Sequence, residues 1–479
     1  MTLDIIVKAN DGRGMGHICR VMNWVGYEGL RHRSLIMVHR DFAHMVPWDI
    51  EIHCVADMGY RVDLDMPQGA LPGSIIEKFA AKNKIKNVTG AVAAYYRGLR
   101  NALHKDAALF YLDDQNGMET VFIEEVGRVL GEDFPTLREL MPKGRIAAEI
   151  ETQFIDDSRT RMRALQAVDY IHLSCDASFF RLAAPDFSLG GLEDKVIPMG
   201  LSLSDNSRRI FDGVMPNRYR LRDELLKDFG VLGTCKSFVY CTFGAGEGAD
   251  EVMPIIYEVA KERKDVFFGI TDPRGELAKE FTKRDIGIKN KTNDGSQVQV
   301  GGLPNLCLFK SSPETHLQRV AIADASIQGN GSGTTYESIY AQTPSVNIPL
   351  RRPGYEQLIK GAAVAKAGAG VMLLLKDLYN DSAVEQRLNK LGVGRERLDK
   401  NNLNKAIAEM LEHPAQYRSA LAGLGSCFRT EAVIGESIHI VAPRVRQAID
   451  TRDKAIIQEL AKSQVEAGAN LLDLNIGPQ

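Results

Sequence analysis

The stretch ASIQGNGSGTTYESI occupies residues 325–339 and decides how the rest of the chain is read. A short β-type run, ASIQ, leads into Gly329, Asn330, Gly331, Ser332 and Gly333. Thr334 or Thr335 then suits the N-cap of a following helix. A strand, a glycine loop and a helix, in that order, turn backbone N–H groups and a helix dipole toward an anion. Glycines allow close approach to an oxyanion, and threonine hydroxyls add donors suited to a diphosphate. Glu337 falls one turn into the helix. A carboxylate there either accepts hydrogen bonds from ribose hydroxyls, as in dinucleotide folds, or merely complements the helix dipole.

Working outward, the same device occurs twice more. Gly244, Ala245, Gly246, Glu247 and Gly248 follow the run SFVYCTF, and Gly12, Arg13, Gly14, Met15, Gly16 and His17 follow LDIIVK. Each is an oxyanion loop or a tight strand-to-helix turn, and the repetition favours a ligand. Further strand-like runs lie at 34–40, 50–56, 107–114, 169–175 and 195–200, then at 265–271, 305–310, 345–350 and 370–375. Their alternation with helical patterns predicts an α/β fold of parallel sheets covered on both faces. A polar stretch over 201–216 splits the series, predicting two tandem Rossmann-like domains at 1–200 and 217–428. A third pattern follows: the strand-like EAVIGESIHI (431–440), an amphipathic helix over 452–468, and the apolar run LLDLNI (471–476). This is one βαβ unit.

The totals narrow the function. The chain has 479 residues, 44% hydrophobic and 25% charged, which is ordinary globular composition. A net charge of -3 argues against a nucleic-acid partner. The 7 Cys are scattered without a CxxC pair, which argues against a disulfide framework or a zinc site, so no metal is expected. No apolar run is long enough to cross a bilayer, and a cytoplasmic protein is the expectation, with peripheral membrane contact left open.

The stretch from Gly329 to Leu374 resembles the donor-binding signature of GT-B glycosyltransferases that use nucleotide sugars. It shows a G-x-G-T-x-x-E-like segment, then Pro344, Pro349, the Glu356-Gln357 pair and a Gly368-Ala369-Gly370 turn, in the family's order. GRGMGHICRV near the N-terminus resembles the family's G-x-G-H loop, and VIPMG resembles its inter-domain crossing. The likeness covers about residues 1–428. It implies a hexosyltransferase with two facing Rossmann-like domains, an N-terminal acceptor domain and a C-terminal donor domain. Glu337 would bind the ribose of a UDP-sugar-like donor. Gly331, Ser332, Gly333, Thr334 and Thr335 would approach its diphosphate, with Gly244 and Gly246 from the neighbouring loop. Glu356 and Gln357 would meet sugar or phosphate. Gly14 and Gly16 would form the acceptor-side loop, and His17 would serve as acceptor-side base. The acceptor would be a small molecule or a lipid, and no cofactor is implied beyond the donor substrate.

Imidazole suits proton removal near neutral pH, and helix N-termini suit a leaving diphosphate. Asp113 and Asp114 end a strand and either orient His17, bind an acceptor, or act as turn residues. One departure stands out: relatives often carry His or Arg at the position of Gly329. Arg351 and Arg352 either supply that charge or face solvent.

The tail resembles the opening of pterin-binding methyltransferases that use methyltetrahydrofolate and a corrinoid, a TIM-barrel family akin to dihydropteroate synthase. The I-G-E strand, the Q-x-x-x-G-A helix end and the L-D-x-N-x-G strand carry the likeness over 431–479. It implies pterin contact by Asn475, with Asp473 as its neighbour. A tetrahydrofolate or pterin ligand and a corrinoid protein partner would belong only to a complete barrel. Two strands of eight are an incomplete TIM barrel, so a piece of a longer product or an incomplete docked domain is expected. Alternative functions are a nucleotide-sugar 2-epimerase, a methyltetrahydrofolate-dependent methyltransferase in the longer product, and an inactive nucleotide-sugar binder.

Overall fold

The fold is taken from a computed structural model. It describes residues 5–8, 34–38, 51–54, 109–112, 137–150, 165–173, 179, 182, 191–198, 203–243, 249–272, 275–290, 297–310, 312–351, 355–426, 434–439, 443–466 and 471–475. The chain divides into two compact units, Met1–Phe428 and Arg429–Gln479.

The first unit holds two sheets. Strands β1 (Ile5–Lys8), β2 (Ser34–Val38), β3 (Glu51–Cys54), β4 (Leu109–Leu112), β5 (Arg145–Ile150), β6 (Tyr170–Leu173) and β7 (Val196–Pro198) form a parallel sheet in the order β3-β2-β1-β4-β5-β6-β7. The second sheet contains β8 (Ser237–Thr242), β9 (Val266–Thr271), β10 (Ile288–Asn290), β11 (Gln297–Val300), β12 (Leu306–Phe309), β13 (Ala325–Gln328), β14 (Ser345–Asn347) and β15 (Gly370–Met372), in the order β10-β11-β12-β9-β8-β13-β14-β15. Both sheets are doubly wound, with the order reversing beside their first strand: between β1 and β4, and between β8 and β13. Ligands of such sheets bind outside the carboxyl ends of the strands at that switch point.

The helices described in the first unit are α1 (Asp205–Val214), α2 (Arg218–Asp228), α3 (Ala249–Glu262), α4 (Glu276–Lys283), α5 (Pro313–Ile322), α6 (Ser332–Ala341), α7 (Glu356–Lys366), α8 (Ser382–Leu391), α9 (Lys400–Glu412) and α10 (Pro414–Ser426), besides single turns. Strands β9, β12, β13 and β14 are buried at every position, because helices remove water from both faces. Val239, Cys241, Phe268, Ile270, Ile327 and Val346 sit in one core that α3 and α9 cover. Asp324 ties the bases of the two switch-point strands: one oxygen accepts from Phe238 N at 2.9 Å, the other from Arg222 of α2 at 2.8 Å.

Three elements depart from the sequence reading. Strand β5 reads RIAAEI, and its Ala-Ala-Glu centre favours helix. Pairing with β4 and β6 overrides that preference. Strands β10 and β11 pair antiparallel, making the second sheet mixed rather than parallel throughout. β11 alternates half-buried Gln297 and Gln299 with buried Val298 and Val300, as a strand with one wetter face does. The polar stretch over 201–216 is largely helix α1, capped by Ser204 Oγ, which accepts from Ser207 N at 3.0 Å. Its fully buried Phe211 lies 5.5 Å from the Tyr340 ring of α6, and the helix packs on α5. One buried aromatic among charged residues makes too faint a periodicity to read.

The second unit holds β16 (Ile434–His439), α11 (Pro443–Asp450), α12 (Lys454–Glu466) and β17 (Leu471–Asn475). The two strands pair in parallel and α12 packs on β16. This is the βαβ unit expected from sequence, with α11 in addition. No helix among the described residues is long and apolar enough to cross a membrane.

Candidate functional site

At the second switch point β8 and β13 run side by side, Thr242 opposite Gln328, and Gly329 N donates to Thr242 O at 3.3 Å. The chain then passes through Asn330 and enters α6. The helix begins at Ser332, with Gly331 as its N-cap in extended conformation, φ -63° and ψ 148°. Thr334 and Thr335 therefore sit inside the first turn and are not the cap. A glycine cap has no side-chain acceptor, and no side-chain cap bond is made. The first N–H groups of α6 have no intrahelical acceptor, and its first turn holds no carboxylate to offset the dipole. The neighbouring α5, by contrast, closes its own terminus with a Ser312–Thr315 capping box.

Beneath this loop lies a buried polar network. Asn347 Oδ1 accepts from Asn330 Nδ2 at 2.7 Å and from Gln328 Nε2 at 3.1 Å. Ser338 Oγ donates to Gln328 Oε1 at 2.7 Å, and Asn347 Nδ2 donates to Ser345 O at 3.1 Å. Gln328, Asn330, Ser338, Ser345 and Asn347 are all buried. Not every polar atom here is satisfied: Asn330 Oδ1, Thr335 Oγ1 and Thr242 Oγ1 are buried without a hydrogen-bond partner among the described residues. Orphaned buried atoms are costly, and three of them gather at one switch point.

Glu337 meets His316 of α5, whose Nε2 lies 3.0 Å from Glu337 Oε2 and whose Nδ1 lies 3.1 Å from the Tyr240 hydroxyl. The second carboxylate oxygen, Oε1, has no hydrogen-bond partner among the described residues. Burial alone would lower the His316 pKa, but the Tyr240 oxygen and the Glu337 carboxylate outweigh it and raise it to about 10. His316 is therefore an imidazolium at neutral pH and holds Glu337 in place through the Nε2–Oε2 contact. A folded pKa above the ordinary imidazole value stabilises fully below about pH 6.5 and loses that contribution as pH rises toward 10. His316→Gln is expected to cost about 2 kcal/mol near pH 6, the worth of a charge-assisted hydrogen bond. The gap in thermal midpoint between wild type and variant should close as pH rises from 6.5 to 10. A gap that holds constant over that range would show that the imidazole is neutral in the fold.

Gln357 is buried, and its Oε1 accepts from Leu350 N at 2.9 Å. That bond anchors the loop after β14, while Nε2 has no partner among the described residues. Glu356 opens α7, after Tyr355 at φ 56°. A left-handed tyrosine is strained, as residues near binding sites often are. Arg351 is committed elsewhere, to Asp377 at 3.0 Å and Asp381 at 2.8 Å. A cation that the sequence does not announce does touch the start of α6: Lys360 of α7 is fully buried, and its Nζ donates to Ser332 Oγ. Only a contact four residues beyond the Glu356-Gln357 pair could have flagged it.

In the first sheet, Lys8 of β1 stands opposite Leu112 of β4. The segments that follow these strands in sequence carry the Gly12–Gly16 run with Gly14, His17, Asp113 and Asp114. They lie outside the described residues, as do Gly244, Gly246, Arg352 and the side chains of Glu356, Asp473 and Asn475. Asp473 and Asn475 belong to β17. Among the described residues, no cluster of three His, Cys, Asp or Glu suits a metal ion.

No family model matches the chain. Its structure is similar to that of Os79 from O. sativa in complex with UDP, at TM-score 0.53 and 13% identity over 95% of this chain and 99% of that one. It is also similar to the spinosyn rhamnosyltransferase SpnG complexed with thymidine diphosphate, at TM-score 0.50 and 14% identity over 89% and 96% of the two chains. The glycotransferase of kitacinnamycin matches at TM-score 0.50 and 12% identity over 89% and 94%. At such identities the likeness shows the fold, a pair of doubly wound sheets of the GT-B type.

Proposed function

We propose that the first unit transfers a glycosyl group from a nucleotide-sugar donor to an acceptor hydroxyl. The observation that carries this is the N-terminus of α6. It is capped by glycine, lies at a switch point, and has Glu337 one turn in with an oxygen to spare. The N–H groups of the first turn suit the diphosphate, and Glu337 Oε1 suits a ribose hydroxyl. Gln357 Nε2 and Glu356 are assigned to the sugar or phosphate. In the reaction the acceptor oxygen attacks the anomeric carbon, and the bond to the diphosphate oxygen breaks with its electron pair leaving on the diphosphate. A base, assigned to His17 with Asp113 assigned to orient it, takes the acceptor proton. A UDP-linked hexose is the favoured donor, since Os79, a fold neighbour of this chain, is solved with UDP.

Incubation of the full chain with labelled UDP- and dTDP-sugars, with alcohol and lipid acceptors and without any, tests the reading. Transfer to an acceptor is expected. A sugar inverted at C2 in acceptor-free tubes would point to the epimerase instead. Neither product, together with no thermal shift by any nucleoside diphosphate, would reject the donor site altogether.

For the second unit we propose the pterin-barrel reading, with Asn475 at the end of β17 and Asp473 within it; the parallel β16–β17 pair with α12 against β16 is compatible with it but not specific to it. Two strands are far from a closed barrel. Titration of this chain with methyltetrahydrofolate is therefore expected to show no tight binding, and a stoichiometric, tight isotherm would overturn that.

A further inference from the structure

We propose that Arg218 and Arg418, with the Tyr219 hydroxyl, form a phosphate site at the C-terminal end of α6, apart from the glycine loop at the other end. The helix has 10 residues, so its two ends stand about 15 Å apart. Arg218 opens α2 and is only 7% exposed. Its Nη2 donates to the carbonyl of Ala341, the last residue of α6. Arg418 of α10 is half-buried, and its Nη1 donates to the Tyr219 hydroxyl. The Arg418 and Arg222 guanidinium carbons lie 5.4 and 5.5 Å from the centre of the Tyr219 ring. Helix α10 packs on α6, and Arg418 is close enough to Arg218 to repel it.

Both arginines have hydrogen-bond partners, but those partners are a peptide carbonyl and a phenol hydroxyl. The C-terminal dipole of α6 offsets about half a charge, and the two guanidiniums bring two. Neither Arg218 nor Arg418 makes a salt bridge among the described residues. The carboxylate that acts on Arg218 is Asp324, and its oxygens already serve Phe238 N and Arg222. Burial, and next the Arg418 charge, push the Arg218 guanidinium down to about 10, so it stays charged at neutral pH without a full counter-charge. A buried charge left unpaired is costly, and an arginine does not escape the cost by losing its proton. A second observation is independent of the charges. Arg418 Nε is buried and has no hydrogen-bond partner among the described residues. Tyr219 accepts from Arg418, so its own O–H is left to donate. Surplus donors and surplus positive charge together call for an oxyanion, and a phosphate has enough acceptor oxygens for two guanidinium forks and a hydroxyl. Tyr219 is 52% exposed, so the group is reached from solvent on that side.

Thermal unfolding and calorimetric titration of the full chain with inorganic phosphate and with glycerol phosphate, against sodium chloride at matched ionic strength, test the proposal. Both phosphates should bind and raise the wild-type midpoint, and chloride should not. Tighter binding of the ester assigns the site to a phosphorylated small molecule, and tighter binding of inorganic phosphate to the free ion; either supports the proposal. Arg418→Gln keeps a donor for Tyr219 and removes the charge. It should weaken phosphate binding at least about tenfold, as for loss of a charge-assisted contact. In phosphate-free buffer its midpoint should equal or exceed that of wild type, because repulsion on Arg218 is relieved, whereas loss of a purely structural arginine would lower it. Tyr219→Phe keeps the ring and should weaken phosphate binding by a smaller factor. A phosphate response no larger than that of chloride would overturn the proposal. So would an undiminished response in Arg418→Gln, which would put the bound phosphate elsewhere, the glycine loop included. Should Arg418→Gln fail to fold, Tyr219→Phe and Arg418→Lys carry the test, and an undiminished response in both would overturn the site.

Discussion

Glu337→Gln is expected to lower kcat/KM for the nucleotide-sugar donor about 10- to 100-fold, the worth of one hydrogen bond to a charged group. The substitution keeps the shape of the side chain and an oxygen for His316 Nε2, so the fold should survive. What it removes is the charge and the second acceptor. In the structure Oε2 is held by His316, itself held by Tyr240, so the carboxylate is fixed before any ligand arrives. Pre-organisation of that kind avoids an ordering cost at binding. The discriminating probe is a nucleoside diphosphate without the ribose diol. Wild type should bind 2′,3′-dideoxy-UDP more weakly than UDP, whereas Glu337→Gln should bind the two alike. If the variant still prefers UDP by the wild-type ratio, Glu337 does not read the ribose, and the carboxylate serves only to hold His316.

The residues that made this site legible are the ones whose chemistry is local. A glycine loop between a buried strand and a helix announces itself in fifteen letters, whereas the strand order that makes it a switch point comes from the fold. The sequence points to a threonine cap, Thr334 or Thr335, three or four residues past the Gly331 that caps α6. Threonine is the better cap in isolation, but a cap that satisfies the helix from within would compete with a ligand. Lys360 and His316 were not legible for a different reason. Each acts across the fold, Lys360 from α7 to α6 over 28 residues of sequence, and His316 from α5 to both β8 and α6. No periodicity encodes such contacts. The antiparallel β10–β11 edge and helix α1 were missed because short polar elements gain their stability from tertiary pairing rather than from their own pattern.

Asn347→Ala should be among the most damaging single changes in the described residues, although Asn347 reaches no surface. Its side chain is fully buried and joins three strands: β13 and the loop after it through Gln328 and Asn330, β14 through Ser345, and β15 through Val371 O at 3.4 Å. Truncation leaves the Gln328 and Asn330 amides without their shared acceptor in a space closed to water. Each orphaned group costs about 1–3 kcal/mol, so a loss of about 3 kcal/mol or more is expected. Rearrangement offers little relief. A Cβ at Gly370 would lie 2.4 Å from Ser345 O and 2.7 Å from Asn347 Nδ2, which shows how tightly β15 closes over the network. Because Asn330 sits between Gly329 and the cap of α6, the damage should reach the anion site as well. Thermal unfolding should shift down by at least about 5 °C, from the usual relation of free energy to midpoint, and affinity for UDP should fall with it. Asn347→Asp separates the causes: it keeps acceptors for Gln328 and Asn330 but cannot donate to Ser345 O or Val371 O, and it buries a carboxyl. Its midpoint should recover as pH falls and the carboxyl protonates, whereas that of Asn347→Ala should not. If Asn347→Ala unfolds within 1 °C of wild type, the network is not what holds the loop, and the glycine turn must be positioned by its backbone bond to Thr242 alone.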